Sequence, residues 1–223
     1  MPDSHVGHVI RSARPGDAQE IVRLMRTIYQ EGRFFVGDGP PLPESLARRI
    51  GGDDPSQALY LVAECRREVG GHEVGGHEAG GHEAGGSGDR GHGDGARSEG
   101  AREVGTWREV GTRREVGAWR EVGAWLELHR MQPRRMRHVA VLTVAVAPAW
   151  RRQGLGRGLL RRSYGWAAEV GVTKVSLNVR AGNGAAIALY RSEGFVEEGR
   201  ERAQVRTDDG GFEDNVIMGR PVS

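Results

Sequence analysis

Residues 151–156 read Arg-Arg-Gln-Gly-Leu-Gly and lie between two differently patterned stretches. Before them, Leu142 to Val146 is apolar and largely β-branched, and it breaks at Pro148. After them a helix-forming pattern begins at Leu155. A strand, a basic glycine turn and a helix bring bare backbone N–H groups and the positive end of a helix dipole to one point, which is how a chain holds an anion. Glycine lets an anion oxygen approach the backbone and permits positive φ. Arginine adds charge-assisted hydrogen bonds. Gly154 and Gly156 are followed by Leu159, so neither the G-x-G-x-x-G dinucleotide fingerprint nor the P-loop is met. The pattern that fits is [Q/R]-x-x-G-x-[G/A], which taken alone also describes a plain surface turn.

A second segment, residues 174–195, reads KVSLNVRAGNGAAIALYRSEGF. Val175, Leu177 and Val179 alternate as in a strand. Asn183 is placed to cap a helix that runs to Glu193 and stops at Gly194. Tyr190, seven residues after Asn183, projects from the same side of that helix. Tyr190 therefore reads either as a core residue or as a phenol offered to a ligand.

With both motifs in order, the chain resembles the GCN5-related N-acetyltransferase (GNAT) superfamily. The residues that carry the resemblance are LTVAVAP (142–148), RRQGLG (151–156) and NVRAGNGAAIALYRSEGF (178–195). It extends to IRSARPGDAQEIVRLM (10–25), ALYLVAE (58–64), AWLELHR (124–130) and a terminal hairpin over 196–220. That hairpin is most like the branch that acetylates free amino acids and other small amines.

The resemblance implies an α/β fold of the α+β kind. Its sheet is mixed and mostly antiparallel, flanked by helices, with a parallel fourth and fifth strand that splay apart. It implies acetyl-CoA as cosubstrate. Arg151, Arg152, Gln153, Gly154, Leu155 and Gly156 would hold the pyrophosphate, mostly through the main chain. Val144, Ala145 and Val146 would pair with the pantetheine arm as an added strand would. Asn183 would bond the same arm, a role compatible with capping its helix. Tyr190 would give a proton to the departing thiolate as general acid. A neutral primary amine would attack directly, so Cys65 need not be a nucleophile. The expected acceptor is a small molecule such as an amino acid. A protein N-terminus or lysine, or a non-catalytic CoA-binding or sensing module, are the alternatives.

The base is less defined. In the branch that acetylates the N-terminus of a ribosomal protein, a Glu on the strand before Asn183 accepts the proton. Asn178 stands there instead and cannot take one. His138, Glu127 and a chain of waters are the candidates.

The elements that must position these groups follow from pattern. Val9–Ser12 reads as a strand and Pro15-Gly16-Asp17 as the cap of a helix with Ile21, Leu24, Met25 and Ile28 on one face. Residues 34–43 read as a loop, 44–49 as a short helix and 155–170 as a longer one. A single domain over 1–223 is expected, interrupted at about 66–120 by Gly/His/Glu and Arg-Glu-Val-Gly-Thr/Ala-Trp/Arg repeats. That insert reads as an expanded turn between the second and third strands, poor in apolar groups and disordered, because lengthening a loop costs little. Its histidines lack a scaffold to hold a metal, and none is expected. Net charge is +2, which gives no global field to recruit nucleic acid. The lone Cys65 suits a reducing compartment. No apolar run reaches membrane-spanning length and the first residues lack a signal-peptide pattern, so a cytoplasmic protein is expected, with no membrane partner. A homodimer is compatible with all of this.

Overall fold

The computed structural model describes residues 7–32, 34–35, 37, 39–68 and 118–222. Within them seven strands form one mixed sheet: β1 (His8–Ser12), β2 (Ala58–Glu68), β3 (Ala118–Arg130), β4 (Val139–Val146), β5 (Lys174–Arg180), β6 (Val196–Arg206) and β7 (Phe212–Pro221). Their order is β1-β2-β3-β4-β5-β7-β6, and only β4 and β5 are parallel neighbours. The helices are α1 (Ala18–Gln30), α2 (Pro43–Gly52), α3 (Leu155–Glu169) and α4 (Gly184–Ser192). The expected mixed sheet with flanking helices is therefore present.

The alternation of β3 divides the core. Ala124, Leu126 and Leu128 belong to a cluster with Leu155, Leu159 and Leu160 of α3 and with Ile187 and Tyr190 of α4. Trp125 belongs to another, with Ile21, Val22, Leu24, Met25 and Ile28 of α1. The α1 set recurs at helical spacing, which gives that helix one apolar stripe. Each fully buried Leu contributes about 1.5–3 kcal/mol of transfer free energy.

Several boundaries differ from expectation for local reasons. Asp17 does not cap α1. Its carboxylate accepts from the Arg14 N–H at 2.6 Å and from the Arg11 guanidinium at 2.7 Å, closing a 3-10 turn over Pro15–Asp17. The short helix expected at 44–49 starts at Pro43, whose missing N–H costs nothing in the first turn, and runs to Gly52. β2 and β3 reach into the stretch read as insert, with Glu68 opposite Ala118 as their last pair. The final repeat copy thus supplies buried Val122 and Trp125 to the sheet. The other readings of the repeats fall on residues 69–117, outside the described residues.

The extended part of β3 is fixed tightly. Glu20 of α1 accepts the Val122 N–H at 3.0 Å beside an irregularity in β2–β3 pairing. A Cβ on Gly123 would fall 2.5 Å from Cys65 Sγ and 2.9 Å from the Trp150 ring. Gly123→Ala is therefore expected to lower stability by about 1–3 kcal/mol, the usual range for overpacking, read as a lower urea midpoint at unchanged m.

Burial pushes the Cys65 thiol up to about 11 and the Tyr164 hydroxyl up to about 12. Both groups ordinarily titrate lower, at 9.0 and 10.0. As pH rises above the lower values, the unfolded chain gives up protons that the folded chain keeps. Stability must fall over that range. The urea midpoint at pH 10.5 should lie below that at pH 7, and an equal or higher midpoint would contradict the assignment.

Candidate active site

β4 and β5 pair over three positions only, Val139–Val141 against Lys174–Ser176. Beyond them β4 runs on to Val146 bonded to β3, and β5 runs on to Arg180 bonded to β7. The facing edges from Leu142 and Leu177 onward have left each other inside a seven-stranded sheet. Backbone groups on such edges demand a partner, and an extended ligand can supply it as a strand would.

The turn after β4 stands at the mouth of this opening. It is anchored to β3: the Ala147 N–H donates to Gly123 O at 2.9 Å, and Trp150 Nε1 donates to Glu121 Oε1 at 2.5 Å. Arg152 (φ 64°) and Gly154 (φ 81°) are both left-handed. Two such residues around Gln153 turn the chain so that α3 begins at Leu155, and the N–H groups of its first turn have no acceptor within the helix. Nothing lies within 4 Å of where a Gly154 Cβ would be, so this face is open. At Gly156 a Cβ would stand 3.1 Å from Leu189 of α4 and 3.7 Å from Val146. The missing side chain is what lets α4 come this close to the end of β4. Turn and strand edge together suit a long ligand with an anionic head, as a CoA thioester has.

α4 carries the other two expected groups. Asn183 Oδ1 accepts the Ala186 N–H at 3.2 Å, so the residue caps the helix. Tyr190 is buried in the core shared with α3, its ring 5.6 Å from that of Phe195. Burial raises its hydroxyl well above the ordinary phenol range. A phenol holds its proton at neutral pH even without this shift, which is the state a proton donor requires.

Side chains around the turn are committed elsewhere. Gln153 Nε2 donates to Ala149 O at 3.1 Å. The Arg151 guanidinium meets the Glu31 carboxylate and lies over the Phe34 ring, 5.0 Å from its centre. Arg157 and Arg161 both pair with buried Glu193 at the end of α4, at 2.8 and 3.1 Å. On the far side of the opening is a cleft of about 360 Å³ lined by Glu31, Gly32, Arg180, Asp208 and Glu213 among others. The loop after α1 and the β6–β7 turn, separate in sequence, thus meet at one place.

The candidate bases are not brought there. His138 precedes β4 at its paired end, where its carbonyl accepts from Thr173 and Lys174. At about 3.3 Å per residue that is on the order of 20 Å along the strand from Val144. Glu127 lies on the α2 side of β3, opposite Thr143 of β4 and turned toward Arg49 (3.7 Å) and His129 (3.5 Å). Asn178, on β5, is exposed. Pattern reading missed Arg180. It sits at the end of an alternating strand and is 6% exposed, and an arginine so placed needs a carboxylate, here Glu213 at 2.6 Å. Alternation places Arg180 with Lys174, Ser176 and Asn178 on the polar face of the strand, so pattern carried no signal of its burial.

Comparison with known proteins accords with this geometry. Residues 105–195 match the family model described as Acetyltransferase (GNAT) family. That stretch is similar to a GNAT acetyltransferase domain. The [Ribosomal protein bS18]-alanine N-acetyltransferase of Escherichia coli strain K12 is 46% identical over 83 residues, 37% of this chain and 55% of that protein. The chain thus spans about half the length of the curated relatives it matches. A GNAT-family acetyltransferase structure from Streptococcus pneumoniae superposes with a TM-score of 0.65 at 22% identity, covering 97% of this chain and 100% of that one. A phosphinothricin acetyltransferase from Sinorhizobium meliloti, solved with AcCoA, gives 0.65 at 18% identity, covering 97% and 89%. At such identities these two establish the shared fold. Among the described residues, no helix is long and apolar enough to cross a membrane.

If the turn binds through its backbone, a β-branched side chain at Gly154 must damage it, since a left-handed non-glycine residue costs about 1–2 kcal/mol. Gly154→Val should raise the dissociation constant for CoA by about tenfold or more in calorimetry, with the far-ultraviolet circular dichroism retained. Unchanged affinity would remove the turn from the site.

Proposed function

We propose that the chain is an acetyl-CoA-dependent N-acetyltransferase acting in the cytoplasm, and that its acceptor is the α-amine of a protein N-terminus. The observation that carries the reading is the β4–β5 opening with the α3 amide turn at its mouth. The curated relative's acceptor is an alanine of a ribosomal protein, and an alanine offers an acetylatable nitrogen only at a chain's start. That supports a protein acceptor over the free amino acid expected from the terminal hairpin. The acetyl-transfer unit is one domain, with residues 69–117 carried between β2 and β3.

Acetyl-CoA supplies a thioester carbonyl for attack by the amine. The amides of residues 152–156 and the start of α3 hold its diphosphate. The edge of Val144–Val146, which β5 does not pair, holds the arm in strand register, and an N–H of that edge stabilises the developing oxyanion. Asn183 fixes the start of α4, and Tyr190 gives its proton to the leaving sulfur. Neither His138 nor Glu127 is assigned as base. The amine's proton leaves through water in the cleft bordered by Glu31 and Asp208.

Incubation with acetyl-CoA and a set of acceptors tests the reading. An Ala-initiated peptide should release free thiol and gain one acetyl group at its α-nitrogen by mass spectrometry. Free alanine and an N-blocked lysine peptide should react far more slowly. Preference for free alanine would restore the small-molecule reading. Tyr190→Phe should lower kcat by about 10²-fold or more, with CoA affinity retained. Unchanged turnover would exclude the tyrosine as acid.

A further inference from the structure

Both strands that border the opening are tied to one dipeptide. From β4, Arg151 Nε donates to Val146 O at 3.2 Å, while its Nη1 and Nη2 meet the two oxygens of Glu31 at 2.9 and 2.5 Å. From β5, Arg180 Nη1 donates to Gly32 O at 2.7 Å, and its Nε to Glu213 Oε2 at 2.6 Å. Glu213 in turn accepts the Gly182 N–H just before α4. Glu31 and Gly32 are consecutive residues at the end of α1, and both line the cleft.

The bonds on each side are of the kind that fixes geometry. A two-pronged arginine–carboxylate contact holds both partners in one plane, which a point charge would not. The second arginine is buried and bonds a backbone carbonyl, so it locates the main chain as well as a side chain. Gly32 is left-handed (φ 65°), and a Cβ there would stand 2.5 Å from Asp208 Oδ2, so this peptide is also pressed from the β6–β7 turn. No backbone pairing joins β4 to β5 beyond Ser176. The distance between their ends is therefore set by these two side chains and the peptide they share.

We propose that Arg151 and Arg180 are positioning residues for the acceptor amine, holding the 31–32 peptide across the mouth so that the acceptor cleft and the thioester channel keep one relative geometry. Arg151, although it opens the phosphate-binding motif, thus acts through Glu31 on the amine side. This rests on the acetyl-transfer reading for its kinetic consequence, but the contact itself can be tested without it.

The test uses Arg151→Gln, Glu31→Gln and their double variant in the full chain, with Arg180→Gln as a second route to the same peptide. With acetyl-CoA and an Ala-initiated peptide, the Arg151 and Glu31 single variants should each raise peptide KM about tenfold, leaving kcat within about threefold. The double variant should be no worse than either single one, since both remove the same contact. CoA affinity by calorimetry should stay within about twofold. Amide exchange over 28–32 should speed up in all four variants, more than any loss of global stability accounts for. Weaker CoA binding in Arg151→Gln but not in Glu31→Gln would make Arg151 a phosphate ligand and overturn the proposal, as would additive KM effects or unaltered exchange. If the wild-type chain acetylates no peptide, the functional reading fails. Exchange and calorimetry then decide the proposal alone: faster exchange with CoA affinity retained supports it, and any other result refutes it.

Discussion

The site depends on where backbone hydrogen bonding stops. Two parallel strands in the middle of a sheet hold each other for three positions and then part. Buried peptide groups are expensive to leave unpaired, so a sheet that opens at its centre needs compensation. Here β3 and β7 hold the outer edges of the two strands throughout, which confines the vacancy to a narrow wedge. The wedge meets a turn in which two left-handed residues precede a helix. Strand edge and amide turn follow one another directly along the chain.

Several of the arginines among the described residues are neutralised by carboxylates. Arg157 and Arg161 share Glu193, Arg180 takes Glu213, and Arg151 takes Glu31. Several of these pairs join elements far apart in sequence, and those that are half exposed contribute little stability singly. Their effect is to set distances between helices and strands that share few other contacts. It also explains why the motif arginine nearest the phosphate turn points away from it. In the proposed reading, binding there falls to backbone amides and the guanidinium shapes the acceptor side.

Much of this was legible in the residue pattern. Apolar alternation at Val175, Leu177 and Val179, the stop at Pro148, the paired glycines at 154 and 156, and the cap at Asn183 are local signals, and each marks a local event. The parting of β4 and β5 was expected from the resemblance, not from periodicity. Long-range partners were not legible: the meeting of Glu31 with Arg151 spans 120 residues, and that of Arg180 with Glu213 spans 33. Nothing in either neighbourhood names the other. The start of β3 was hidden for a different reason. Its first residues are a repeat copy, and repetition disguised a strand whose Val122 and Trp125 fill the α1 side of the core. His138 lies at the end of β4 that stays paired with β5, a placement that pattern does not reveal because a strand's two ends look alike in sequence.

Glu68 and Ala118 close the β2–β3 ladder as direct partners. Antiparallel partners sit about 4.5–5.5 Å apart at their Cα atoms. The chain therefore leaves the sheet and returns to it through a single narrow doorway. Segments of very different length can use such a doorway without stretching the strands on either side. It is a grafting point beside the phosphate turn, where a fluorescent or affinity module could be spliced in with both of its ends already close together.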